Sequence, residues 1–142
     1  SGDYTILRAW ILPSLIQVLE NNTHRAYPQD LAEVGLVANR DDSMNTRVAE
    51  RRHIDGAVAR YDATYEDAKA PLQALCSEFD VELQTPPTAH PSFIDGRTAA
   101  IMIDEKSVGV LGEVHPAVLV EHDLAVPVAA FEFELAALAS NT

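Results

Sequence analysis

Two histidine–proline pairs, His90-Pro91 and His115-Pro116, are the residues in this chain most readily imagined doing chemistry. Asp95 and Arg97 follow the first pair, and Glu113 stands just before the second. Imidazole and carboxylate together can hold zinc or iron, with His90, Glu113 and His115 as the ligand set. The spacing fits no helical histidine pair and no established metal motif. The simpler expectation is that each imidazole bonds to backbone at a strand end, where the following proline fixes the turn. Nucleophiles fare worse. No serine sits in a Gly-x-Ser-x-Gly elbow, and Cys76 lies on the apolar face of an expected helix, where a thiol is inert. Gly109-Val110-Leu111-Gly112 has two glycines but neither the lysine nor the spacing of a phosphate loop. Adjacent acids such as Asp41-Asp42 and Asp104-Glu105 signal nothing in so acidic a chain. No activity is expected of this stretch alone.

The elements that would position these residues follow from periodicity. Leu12, Leu15, Ile16 and Leu19 recur every three or four residues and predict a helix over 8–22, with Pro13 tolerated in its first turn. Residues 30–39 read as a strand, in which Gly35 marks a bulge or a close backbone approach. A polar turn over 40–46 leads to a second strand over 50–60. Thr64-Tyr65-Glu66-Asp67 resembles a capping box and starts a helix to about Phe79, which Pro71 should kink or delay. A strand over 81–85 ends at Pro86-Pro87. Strands over 98–103 and 107–112 flank Asp104-Glu105-Lys106, an antiparallel hairpin loop. His115-Pro116 opens a short helix to about His122. A strand over 126–133 and a helix over 134–139 complete the pattern. Six strands and four helices, with strands joined by turns, predict an α+β fold on an antiparallel sheet.

Bulk properties narrow the function classes. The 142 residues suit a single domain spanning 1–142, and 47% are hydrophobic. One cysteine cannot form an internal disulfide, which fits a reducing cytoplasm. No apolar run approaches the length needed to span a membrane, and Ser1-Gly2-Asp3-Tyr4 lacks the character of a secretion signal. Ten basic against 22 acidic residues give a net charge of −12, and only Lys69 and Lys106 among the basic residues are lysines. This charge suits either a basic partner or a very salty cytosol. The scatter of the acids along the chain favours the second, because at molar salt the Debye length is only about 3 Å and self-repulsion is screened. Nucleic-acid binding needs basic contacts to phosphate. The densest basic cluster, Arg47, Arg51, Arg52 and His53, is interrupted by Glu50 and Asp55 and reads as a mixed solvated strand face.

Specific words carry more than periodicity. Leu7-Arg8-Ala9-Trp10-Ile11-Leu12-Pro13-Ser14-Leu15 resembles the "LR-x-x-LLP-x-LL" segment of phenylalanine–tRNA ligase β subunits, and Ala32-Glu33-Val34-Gly35 resembles their "FEIG" strand. His90-Pro91-Ser92-Phe93-Ile94-Asp95-Gly96-Arg97 is similar to "HPSFIEGR". Val108-Gly109-Val110-Leu111-Gly112-Glu113-Val114-His115-Pro116 is similar to "VGxxGEIHPEVL", and Pro127-Val128-Ala129-Ala130-Phe131-Glu132 to "PVAAFEL". The five blocks stand in family order, in the wording of the archaeal and eukaryotic branch, which suits an extreme halophile.

The resemblance implies a class II synthetase-like antiparallel sheet flanked by helices, in a catalytic-like (B6–B7-type) domain of the β subunit. It implies a division of labour in an (αβ)2 assembly, where the α subunit holds ATP and magnesium and attaches phenylalanine to tRNA. This stretch would then be a structural and interface domain in the cytoplasm, with no cofactor and no tRNA contact of its own. Class II catalysis uses an arginine in a "(F/Y)RxE" strand and another in "GxGxER". The matching strand has no arginine before Glu33. The matching end, Ala129 to Leu135, has Glu132 and Glu134 where an arginine and glycines are needed, and a carboxylate in a low-dielectric pocket repels phosphate. The resemblance also implies that an earlier strand and helix of the domain, and the editing and tRNA-binding domains, are absent. An apolar patch on Trp10, Ile11, Leu15 and Leu19 is then expected to contribute to the surface that meets the α subunit, unless these residues pack only on this stretch's own sheet. The alternative is an independent small metal-binding or hydrolytic enzyme on a synthetase-like fold.

Overall fold

A computed structural model describes residues 10–40 and 48–139. Arg8 and the expected polar turn after Arg40 lie outside these residues. The described residues form six strands: β1 (Gln29–Arg40), β2 (Val48–Ala59), β3 (Leu83–Gln84), β4 (Phe93–Ile103), β5 (Lys106–Val114) and β6 (Val128–Glu134). Three α-helices, α1 (Leu12–Asn21), α2 (Tyr65–Glu78) and α3 (Pro116–Glu121), and a 3-10 helix (Leu135–Ala139) complete them. The sheet runs β1-β2-β6-β5-β4-β3, every pair antiparallel, so the expected α+β architecture is present.

The hairpin between β4 and β5 turns on two residues, not three. Asp104 and Glu105 both have positive φ, 49° and 70°, as a two-residue type I′ turn requires, and Lys106 already belongs to β5. Pro71 does not delay α2, which starts at Tyr65 and runs through the proline to Glu78. Pro71 itself is exposed. The strand expected over 81–85 shrinks to two residues, because Pro86 and Pro87 cannot donate to a ladder.

The sheet is covered on both faces, and β6 shows why. Ala129, Phe131 and Phe133 pack with Ala68, Leu72 and Cys76 of α2. Val128 and Ala130 pack on the other side with Leu12, Leu15, Ile16 and Leu19 of α1. A strand between two layers must be apolar at every position, and six of the seven β6 residues are buried. The one polar residue among those six, Glu132, is a carboxylate.

Candidate functional site

Glu132 is buried to 2% exposure in the middle of the sheet. Its neighbour across β2 is Asp55, whose neighbour across β1 is Glu33. Directly opposed residues share a face, so three carboxylates lie in one row beneath α1. The sequence of α1 explains what holds Glu132 there. The helix starts after Trp10 and Ile11, and its N-cap residue Ile11 has no side chain able to cap it. The first amides of a helix need acceptors. Ile11 N–H donates to Glu132 Oε1 and Oε2 at 2.9 and 2.8 Å, and Leu12 N–H donates to Oε1 at 2.6 Å. The cap therefore comes from 120 residues away along the chain. A negative charge at this end also opposes the helix dipole favourably. His53 Nδ1, on β2, lies 2.6 Å from Glu132 Oε2. Gly35 completes the seat: a Cβ there would stand 2.9 Å from the Ile11 side chain. The close approach expected at Gly35 is thus made by a side chain, and β1 pairs with β2 through it without a bulge.

Asp55 is fully buried. Burial first, and then the charges of Glu132 and Glu33, push its carboxyl up to about 8. The amides of Asp55 and Glu33 pull it part of the way back, yet neither carboxyl oxygen has a hydrogen bond of normal geometry. Asp55 therefore holds its proton at neutral pH. The reading of this stretch as a solvated face is corrected here. Arg51 and Arg52 are exposed, but His53 is half-buried and Asp55 is interior. The available signal was alternation, since His53, Asp55, Ala57 and Ala59 occupy every second position, and the last two are plainly core residues.

The histidine pairs take the simpler of the two expected arrangements. Ser92 N–H donates to His90 Nδ1 at 3.1 Å, and Ala117 N–H donates to His115 Nδ1 at 3.0 Å. An amide can only donate, so each Nδ1 accepts and a neutral ring carries its proton on Nε2. Burial pushes His90 toward that neutral form. Such a ring offers no free nitrogen to a metal. Pro91 and Pro116 follow each turn, and both histidines line one open cleft of about 690 Å3. His90 also lies tilted against Trp10 and edge-on to Phe93, with ring centres 4.7 and 5.3 Å away. Glu113 turns to the other face, where it accepts from Tyr65 N–H at the start of α2 and from Arg97, both at 3.0 Å. A metal set of His90, Glu113 and His115 is thus not brought together. Among the described residues no group of three or more histidine, cysteine or acidic side chains could hold a metal ion.

The remaining signature residues serve these contacts. Register jumps from Phe93↔Val114 to Thr98↔Gly112, so β4 bulges over Ile94–Arg97, and Gly96 takes φ +83° there. The bulge delivers Arg97 to Glu113. A Cβ on Gly112 would meet the Arg97 carbonyl oxygen at 2.6 Å. Pro13 is exposed in the first turn of α1, and Phe131 is buried on the α2 face. Three of the four residues expected in an apolar patch are interior. Ile11, Leu15 and Leu19 are at most 3% exposed, and bury themselves on this chain's own sheet; Trp10 alone of the four is half-exposed. Val34 and Leu36 of β1 are two of the exposed aliphatics, at 52% and 47%. They stand on the α2 face, where Ala32, Ile54 and Phe131 line an apolar groove of about 330 Å3. No helix among the described residues is long and apolar enough to cross a membrane.

Comparison with known proteins gives this geometry a context. A family model described as the phenylalanyl tRNA synthetase beta chain CLM domain matches residues 1–135. The chain is 70% identical over 138 residues to the phenylalanine–tRNA ligase beta subunit of Halorubrum lacusprofundi, covering 97% of this chain and 24% of that protein. It is 69% identical over 139 residues to the subunit of the same name from Natronomonas pharaonis, with 98% and 24% covered. The counterpart in Pyrococcus furiosus is 41% identical over 135 residues, with 95% and 24% covered. The chain thus spans about a quarter of the length of the curated relatives it matches.

Proposed function

The chain belongs to the phenylalanyl tRNA synthetase beta chain family, and on that premise we propose that it is a non-catalytic scaffold and interface domain of phenylalanine–tRNA ligase. In this reading it forms part of the β subunit's catalytic-like (B6–B7-type) core, a class II synthetase-like sheet in the cytoplasm. The α subunit, joined to it in an (αβ)2 assembly, attaches phenylalanine to tRNA at the expense of ATP and with magnesium.

The observation that carries this reading is the position of Glu132. A helix N-terminus over a sheet is a ready site for phosphate. Here the protein's own carboxylate fills it, and the row continues with Asp55 and Glu33. No arginine stands in the row. These residues do not fit a nucleoside triphosphate: a row of acids with no basic partner would repel its phosphates, and α1 closes the face they would need. The row is no magnesium site either: the Glu132 oxygens are engaged by amides, and among the described residues no three acidic, histidine or cysteine side chains come together to hold a metal ion. What remains is a rigid sheet with one helix clamped on it. The acidic surface, −12 overall, agrees with relatives such as Halorubrum lacusprofundi and keeps the domain hydrated where Debye screening is short.

The test has two arms in molar potassium chloride. Calorimetric titration with ATP and magnesium should show no heat of binding, and saturable binding would overturn the non-catalytic assignment. Size-exclusion chromatography with the α subunit from the same organism should show co-elution. Separate elution would remove the interface role from this domain and leave the scaffold role.

A further inference from the structure

A cleft of about 290 Å3 opens beside the start of α1, lined by Trp10, His53, His90, Gly109, Val110 and Glu132. The scaffold role gives it no task. Its two histidines are held in different ways, and the difference sets opposite hydrogen-bonding characters. The Glu132 oxygens already accept from the Ile11 and Leu12 amides. The proton in the 2.6 Å contact between Glu132 Oε2 and His53 therefore sits on Nδ1. A neutral ring with its proton there leaves Nε2 bare, as an acceptor. His90 is the reverse. Its Nδ1 accepts from Ser92 N–H, so its neutral ring, which burial favours, donates from Nε2. Among the described residues the hydrogen bonds of both rings run through Nδ1, and each Nε2 is left for the cleft.

We propose that this cleft binds an uncharged primary carboxamide, whose NH2 donates to His53 Nε2 and whose carbonyl accepts from His90 Nε2–H. The surroundings select against ions. Glu132 stands in the wall, and Glu134 lies opposite His53 on the β2–β6 ladder, so a carboxylate or phosphate is repelled. A cation meets a donor at His90 and finds both Glu132 oxygens engaged. A hydroxyl offers both roles on one atom and suits two nitrogens that converge. Here His53 stands on β2 and His90 precedes β4, with β6 and β5 between those strands. A carboxamide places donor and acceptor on separate atoms of one plane. Trp10, tilted against His90 with ring centres 4.7 Å apart, gives the rest of the ligand a flat apolar wall.

Two-bond proton–nitrogen NMR of the histidine rings in the 142-residue chain tests this, in molar potassium chloride and above the ordinary imidazole range. It reads the tautomers directly: His53 should be bare at Nε2 and His90 bare at Nδ1. Benzamide is then titrated, with benzoate and benzyl alcohol as controls. Benzamide should move both Nε2 signals along one saturable curve, and each control should bind roughly tenfold more weakly or not at all, having lost one hydrogen bond or gained a repulsion. His53→Asn and His90→Asn keep an amide atom in place of Nδ1 and delete Nε2. Each should weaken benzamide by roughly three- to tenfold, the loss of one hydrogen bond. The comparison with benzoate and benzyl alcohol needs no variant, so it stands even if a substitution unfolds the chain. Acetamide separates the sources of the group. Benzamide binding tenfold tighter than acetamide assigns the cleft to a free aromatic amide, and equal binding assigns it to an asparagine or glutamine side chain of a partner protein. The same tautomer on both rings, no saturable benzamide binding, a control that binds as well, or full affinity in a folded variant overturns the proposal.

Discussion

The two long helices of this protein start in opposite ways. α2 begins on local sequence: Asp67 reaches back to Thr64 N–H at 2.8 Å, and Arg60 pairs with the same carboxylate. Those contacts, the Thr64 amide foremost, hold Asp67 below the usual carboxylate range. Glu113 adds a second acceptor from the sheet. α1 has none of this. Its first amides depend on Glu132, a residue of the central strand. A helix with its own box forms its N-terminus wherever the chain goes. A helix capped by the sheet has a defined start only once the sheet is built. Residues of the five sequence blocks meet at these two starts: Glu132 and Gly35 at α1, and Glu113 with Arg97 at α2.

Breaking the α1 start should have the largest effect. Glu132→Ala leaves the Ile11 and Leu12 amides buried without an acceptor, at about 1–3 kcal/mol for each orphaned group. A loss of roughly 2–4 kcal/mol in chemical denaturation at molar salt, with faster amide exchange in the first turn of α1, is expected. A loss below about 1 kcal/mol would mean that water reaches this turn and the long-range cap is dispensable.

The Asp55 substitution sharpens the same side of the comparison through pH. The folded-state carboxyl, at about 8, lies above its ordinary 3.8. The folded protein therefore binds the extra proton between those values. The stability this confers is complete below the ordinary carboxylate range and is lost as pH rises toward and through 8. The slope is at most about 1.4 kcal/mol per pH unit. Asp55→Asn should flatten the pH–stability curve between pH 5 and 8 and raise stability near pH 9, by roughly 1–2 kcal/mol after relaxation of the row. An unchanged slope would show that the row is neutralised otherwise.

The smallest effect belongs to α2. Glu113→Ala removes one of several acceptors and an ion pair whose arginine is 61% exposed. About 1 kcal/mol or less is expected from thermal unfolding. A loss equal to that of Glu132→Ala would erase the distinction between the two starts.

Much of this was legible beforehand because it is local. The capping box at Thr64, the helical spacing of Leu12, Leu15, Ile16 and Leu19, and the backbone-bound histidines before Pro91 and Pro116 all follow from neighbours within four residues. The hairpin at Asp104 was one residue too long on paper, since only positive φ at two positions identifies its turn. The surface expected on Ile11, Leu15 and Leu19 could not be read, because an apolar helix face looks the same whether it meets its own sheet or a partner.

By itself the sequence determined the α+β class, the element order, the family and the absence of arginines from the two expected phosphate positions. These are matters of residue type and short-range spacing. Only the tertiary structure decided that Glu33, Asp55 and Glu132 form one row, that Glu132 caps α1, and that Asp55 holds a proton. Those facts depend on the register of β1, β2 and β6, strands brought together over some 80 residues of chain, and on burial that raises the cost of charge. Register and burial are properties of the assembled sheet, so no local window of residues contains them.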